Sequence, residues 1–154
     1  MTSNDILREQ IVRILEGGNA HYSIIEFLEK FPLDKINQKI EGVEYTPWQL
    51  LEHIRIAQLD ILDFTKNNNY KELNFPDDLW PDKSKEADIK DWNISYIRFK
   101  RDLEEAVKIA KDESINLFNP LDHAKDYNVL RELLLIADHN AYHLGQLILF
   151  KKMK

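Results

Sequence analysis

The chain has 154 residues, enough for one domain (residues 1–154) with a sizeable core. It contains no cysteine, which excludes disulfides, iron–sulfur clusters, thiolate ligands and a cysteine nucleophile; a bound metal would have nitrogen and oxygen ligands only. The net charge of −6, a pI near 5.4 and scattered lysines and arginines speak against a nucleic-acid partner, and neither a basic leader nor an apolar run of about 20 residues is present, so we expect a soluble, cytoplasmic protein without membrane association.

Helical signals dominate from the first residues. Leu7, Ile11, Ile14 and Leu15 follow helical spacing from Asp5 to Glu16, where Gly17-Gly18 interrupts. Ile24, Ile25, Phe27, Leu28 and Phe31 continue the pattern from Asn19 until Pro32 ends it, so this region is either one bent helix or two short ones. The next start is the clearest: Thr46 as N-cap, Pro47 at the first helical position and Gln49 three residues after the cap. That helix should reach Lys66 and stop at Asn67-Asn68-Asn69. A polar connection with Phe75-Pro76 and Trp80-Pro81 fills most of the stretch from Asn67 to Lys90, longer than the usual two to eight residues or so between bundle helices.

A third long helix opens near Asp91 and carries the seam Trp92, Tyr96, Phe99, Leu103, Ala106 and Ala110. It should fade near Lys111 to Glu113. An irregular connection holding Pro120 and His123 leads to the last helix, from about Asn128 to Lys152. Four substantial helices and two long connections predict an all-α four-helix bundle with at least one crossover, the class that builds metal sites from inward-facing side chains. The long connection lets the second and third helices run parallel.

Two of the five histidines, His139 and His143, lie four apart in the last helix. Their imidazoles therefore point the same way, close enough to share one transition-metal ion. Taking about 100° per residue, they share a face with Glu132, Ile136, Gln146 and Phe150, and Glu132 or Gln146 could orient a ring through its second nitrogen. The best third ligand is His53, which shares its face with Ala57, Asp60 and Phe64. Three imidazoles and open positions would make a catalytic rather than a structural centre; the alternative is that these histidines merely pack in the core. Asn140 follows the first histidine of the pair, so this is not the His-Glu-x-x-His motif and brings no built-in general base.

Other residues carry less. Asp60 is two turns from His53, about 10 Å along the axis, too far for the same ion but near enough to touch a substrate; its simpler role is a salt bridge to Arg55 or Arg98. His123 either folds over the site on its loop or is exposed. Asp60, His123 and a metal-bound hydroxide are the only general bases on offer. His21 reads as a surface or helix-start residue, and Tyr142, Trp48 and Trp92 as pocket or, more simply, core aromatics. Leu130, Leu134, Ala137, Ala141, Leu144 and Ile148 form a second apolar stripe on the last helix, from which we expect a homodimer with Leu134, Ala137 and Ala141 at the contact.

Trp48-Gln49-Leu50-Leu51-Glu52-His53-Ile54-Arg55-Ile56-Ala57-Gln58, Leu130-Arg131-Glu132 and Ala137 through Gln146, with Phe75-Pro76, Trp80-Pro81 and Trp92 between them, resemble the DinB-like (YfiT-like) superfamily of metalloenzymes over nearly the whole chain. The resemblance implies an up-down-down-up four-helix bundle, commonly dimeric, with a divalent metal (Zn, Ni, Fe or Mn) on His53, His139 and His143. It also implies metal-dependent chemistry on a small-molecule substrate, such as transfer of a low-molecular-weight thiol, or hydrolysis. A non-catalytic or stress-associated metal-binding helical dimer is the rival expectation. One departure stands out: no glycine occurs between Gly42 and Gly145, so the glycine-containing turn associated with the start of the last helix is missing, which leaves the role of His123 open.

Overall fold

Local capping chemistry sets where the helices begin. In the structure, a computed structural model that describes residues 1–153, α1 spans Ser3–Glu16 and starts two residues before the predicted Asp5, because Thr2 and Asp5 cap each other reciprocally. Gly17 and Gly18 adopt φ of 71° and 81°, which breaks the helix, and α2 is a short separate piece, Ile24–Glu29. The region is thus two helices, and His21 sits exposed in the link between them. Helix α3, Pro47–Lys66, has the predicted Thr46, Pro47 and Gln49 start. Helix α4, Ile89–Lys111, begins earlier than the predicted Asp91, since Asp88 is the cap and Asp91 its reciprocal partner. Helix α5, Val129–Lys152, is capped by Asn128.

The connection before α5 is not wholly irregular. Pro120–Leu121 (β1) and Ala124–Asn128 (β2) form a small antiparallel hairpin around Asp122 and His123. Its second strand has no buried position, so no alternation was available to announce it. The molecule is mostly helical with this one two-stranded sheet among the described residues.

Helix directions follow from the polar contacts between them. Trp48 Nε1 donates to Ser95 Oγ (3.2 Å), Gln58 Nε2 to the Phe99 carbonyl (2.9 Å) and Lys66 Nζ to Glu105 (2.7 Å), so α3 and α4 run side by side in the same direction. Asn140 Nδ2 donates to Gln58 Oε1 at 2.9 Å while His53 meets His143, so α5 runs against α3. Arg8, in the first half of α1, donates to the Ala110 carbonyl in the last turn of α4 and to the Asp112 and Ile115 carbonyls just past it, which pins α1 to that end of α4. The buried guanidinium meets the negative end of the α4 dipole there. Helices α3 and α4 can run parallel because the strap between them, residues 67–88, returns along the length of the molecule.

Leu50, Leu51, Ile54, Phe99, Ala106, Ala110 and Leu147 are wholly enclosed between the long helices. Helix α5 touches both α1 and α3, so a wide arc of it is covered. That corrects the expected contact stripe: Ala137 and Leu144 are buried in the core, while Leu134, Tyr142 and Leu149 are exposed. Tyr142 is accordingly a surface residue, whereas Trp48 and Trp92 are core. No described helix is long and apolar enough to cross a membrane.

Gln58 and Asn140 are both buried: Gln58 uses its amide nitrogen on α4 and its oxygen on Asn140, whose amide nitrogen is spent on Gln58 while its oxygen is left without a partner among the described residues. Replacing Gln58 with leucine strands the Asn140 amide in the core, so Gln58→Leu is expected to cost about 1–3 kcal/mol in urea unfolding. An unchanged midpoint would remove this pair from the determinants of helix register.

Candidate metal centre

Three histidines from two helices meet where α3 and α5 cross. His53 Nε2 lies 3.2 Å from His143 Nε2, and His143 Nε2 lies 3.2 Å from His139 Nε2. One ligand atom from each falls within 4.8 Å of the others. Helical geometry places His139 and His143 one above the other, and the antiparallel register fixed by Gln58 and Asn140 brings His53 opposite them.

The protons on these rings decide what the cluster can be. His53 Nδ1 is 2.8 Å from the Leu79 carbonyl, which can only accept, so this nitrogen carries the hydrogen. His143 Nδ1 likewise donates to Gln146 Oε1 at 2.6 Å. In neutral imidazoles both Nε2 atoms are then bare lone pairs, facing each other at 3.2 Å. His139 brings one ring hydrogen; placed on Nε2 it satisfies His143 and still leaves His53 unmatched. Its Nδ1 is buried with no partner.

A cation would resolve this arrangement. Two nitrogens bound to one zinc at about 2.0–2.1 Å would stand roughly 3.3 Å apart in tetrahedral geometry, close to the 3.2 Å that His143 Nε2 keeps from each of the other two rings. Burial also keeps the rings in the ligating form: it pushes His53 and His139 down to about 4, helped by the neighbouring imidazoles and opposed at His53 by the Leu79 hydrogen bond. Burial lowers His143 as well, against the Gln146 hydrogen bond. The rings are therefore neutral at neutral pH, and no proton need be expelled before a metal is bound. The residues present fit a divalent transition metal on three nitrogens.

Orientation of the His53 ring comes from outside the two helices. The Leu79 carbonyl belongs to the strap, and the next residue, Trp80, lies flat on His53 with ring centroids 3.9 Å apart and planes 5° from parallel. Gln49 Nε2 holds the same strap through the Lys83 carbonyl at 3.0 Å. These contacts fix both the tautomer and the tilt of His53. A backbone carbonyl has no sequence signature, so Leu79 could not be singled out beforehand; Trp80 had only its place in an aromatic, proline-containing stretch as a signal.

Of the two residues expected to orient a ligand, Gln146 does so and Glu132 does not. Glu132 is buried and held instead by the Arg131 guanidinium at 2.8 and 3.1 Å. Asp60 forms no bridge to Arg55 or Arg98: Arg55 pairs with Glu52, and Asp60 accepts from the Tyr70 hydroxyl at 2.9 Å. His123 is half-buried against Phe64, with ring centroids 5.0 Å apart, rather than exposed. Asp60 and His123 line one cleft beside the centre, apart from the three ring nitrogens. Comparison with family models, with curated proteins and with solved structures found no match, so the geometry alone carries the functional assignment.

Gln146 is half-buried near the end of α5 and its role is confined to one ring. Gln146→Leu should lower zinc affinity about 10–100-fold while leaving the helical signal unchanged, as measured by competitive chelator titration and circular dichroism. Unaltered affinity would mean that His143 needs no such hold.

Proposed function

We propose that this protein is a divalent-metal-dependent enzyme acting on a small molecule, by transfer of a low-molecular-weight thiol or by hydrolysis, on a DinB-like four-helix bundle of up-down-down-up order. The observation that carries the proposal is the pair of Nε2 lone pairs on His53 and His143, aimed at each other at 3.2 Å with their tautomers locked from behind. His53, His139 and His143 would hold the ion. Held there, a zinc-like ion would supply Lewis acidity, favouring the deprotonated form of a water or thiol at neutral pH.

The chain's own contribution is positioning and exclusion. Leu79 and Gln146 keep the ring hydrogens away from the shared centre. Trp80 covers one face of His53 and bars water from it. No carboxylate joins the three imidazoles, so the centre keeps the full cationic charge of its ion and favours an anionic nucleophile such as hydroxide or thiolate. Asp60 and His123 stay the two side-chain candidates for proton transfer, acting from the neighbouring cleft.

Protein purified without a histidine tag should contain about one transition-metal ion per chain by elemental analysis. His139→Ala should lower affinity by about two orders of magnitude or more, with little loss of stability in the metal-free chain, because the substitution also relieves crowding of lone pairs. Retained metal with collapsed stability would instead make these histidines packing residues. A metal-loaded protein inert toward a broad screen of thiols, electrophiles and hydrolysable esters would favour the non-catalytic binder.

We extend the proposal to a homodimer. Leu134, Tyr142 and Leu149 are exposed at intervals of about two turns and form one apolar strip along α5. Sedimentation velocity should give a dimer that Tyr142→Glu shifts toward monomer; a monomer at all concentrations would remove the dimer and leave the metal centre untouched.

A further inference from the structure

A separate cleft lies between α3 and α5, away from the three histidines. Asp60 lies two turns beyond His53, and Glu132 lies two turns before His139, so both sit about 10 Å along the helices on the same side. There the helices, the β-hairpin and the start of the strap line an open cleft of about 580 Å³. Its chemistry is unlike that of the metal centre. Three carboxylates, Asp60, Glu72 and Glu132, face it against one guanidinium, Arg131, and that guanidinium is already held by Glu132.

Unspent acceptors remain in the cleft. Asp60 uses one oxygen on the Tyr70 hydroxyl and has no cationic partner. Burial raises its carboxyl pKa, opposed by the Tyr70 hydrogen bond and reinforced by the charges of Asp63 and Glu72. His123 lines the cleft with its ring, while both of its ring nitrogens are shielded from solvent. The remaining walls are aromatic: Phe64 is packed edge-on by Tyr70, Tyr127 and His123, with centroids 5.1, 5.5 and 5.0 Å away.

Excess negative charge, free acceptors and aromatic faces together select a cation that can donate hydrogen bonds. We propose that this cleft binds the ammonium group of a small organic amine, with Asp60 and Glu72 as its charge partners and the rings around Phe64 beside it. An anion would meet three carboxylates, and a neutral alcohol would leave Asp60 uncompensated. The ligand class rests on the cleft alone.

The test is titration of the zinc-loaded full chain with benzylamine, and with benzyl alcohol and phenylacetate as neutral and anionic matches, following the histidine ring resonances by NMR. Benzylamine should shift the His123 resonances saturably, and the other two should not. Asp60→Asn should weaken binding at least about tenfold, and Glu72→Gln, at an exposed position that cannot threaten the fold, several-fold. His139→Ala should keep amine binding although its metal is lost, which separates the cleft from coordination of the amine to the ion. Equal binding of all three compounds, no binding of benzylamine, or full affinity in Glu72→Gln overturns the proposal; failure of zinc to bind with amine binding intact overturns the metal centre instead.

Discussion

One buried amide pair sets the register on which the rest depends. Gln58 and Asn140 lie on facing helices in the core, where an unpaired amide is costly, and together with the Phe99 carbonyl they tie α3, α4 and α5 at one level. Apolar packing alone would tolerate a slip of one helix past another. These directional bonds do not. Because His53 precedes Gln58 by five residues and His139 adjoins Asn140, the pair that locks the helices also brings the imidazoles into contact.

The centre therefore has a division of labour between helix and strap. Helices supply the three rings and their spacing, while the strap and the last turns of α5 supply acceptors for the ring hydrogens. Neither half is sufficient alone: spacing without fixed tautomers would let a ring hydrogen occupy the shared space. The cleft around Asp60 differs from the histidine centre in sign, having excess negative charge where the three rings are neutral.

Much of this could be read before any coordinates, and what could not has identifiable causes. Thr46, Pro47 and Gln49 mark a helix start through bonds made within four residues, so local sequence suffices. The i, i+4 spacing of His139 and His143 is similarly local, and His53 followed as the interior histidine of the other long helix. The directions in which helices meet were not local. Ala137 and Leu144 resemble surface stripe residues until α1 is known to cover that side of α5. Tyr70 reaches Asp60 only after the chain turns at Asn67–Asn69, and the Leu79 carbonyl meets His53 across 26 residues of chain. The hairpin at His123 is held by backbone pairing with its second strand unburied, so side-chain pattern carried no trace of it.

The flat stack of Trp80 on His53 ties a long connection to a single ring. Residues 67–88 are held at separate points: Asp60 accepts from Tyr70, Tyr45 packs on Trp80, Asn37 pairs with the Ala87 backbone, Gln49 with Lys83, and His53 with Leu79. Anything that immobilises the His53 ring also stiffens this span, and anything that peels the span away frees the ring to rotate. The backbone near Trp80 and the tilt of the His53 ring therefore move together, so a change at either is felt by the other.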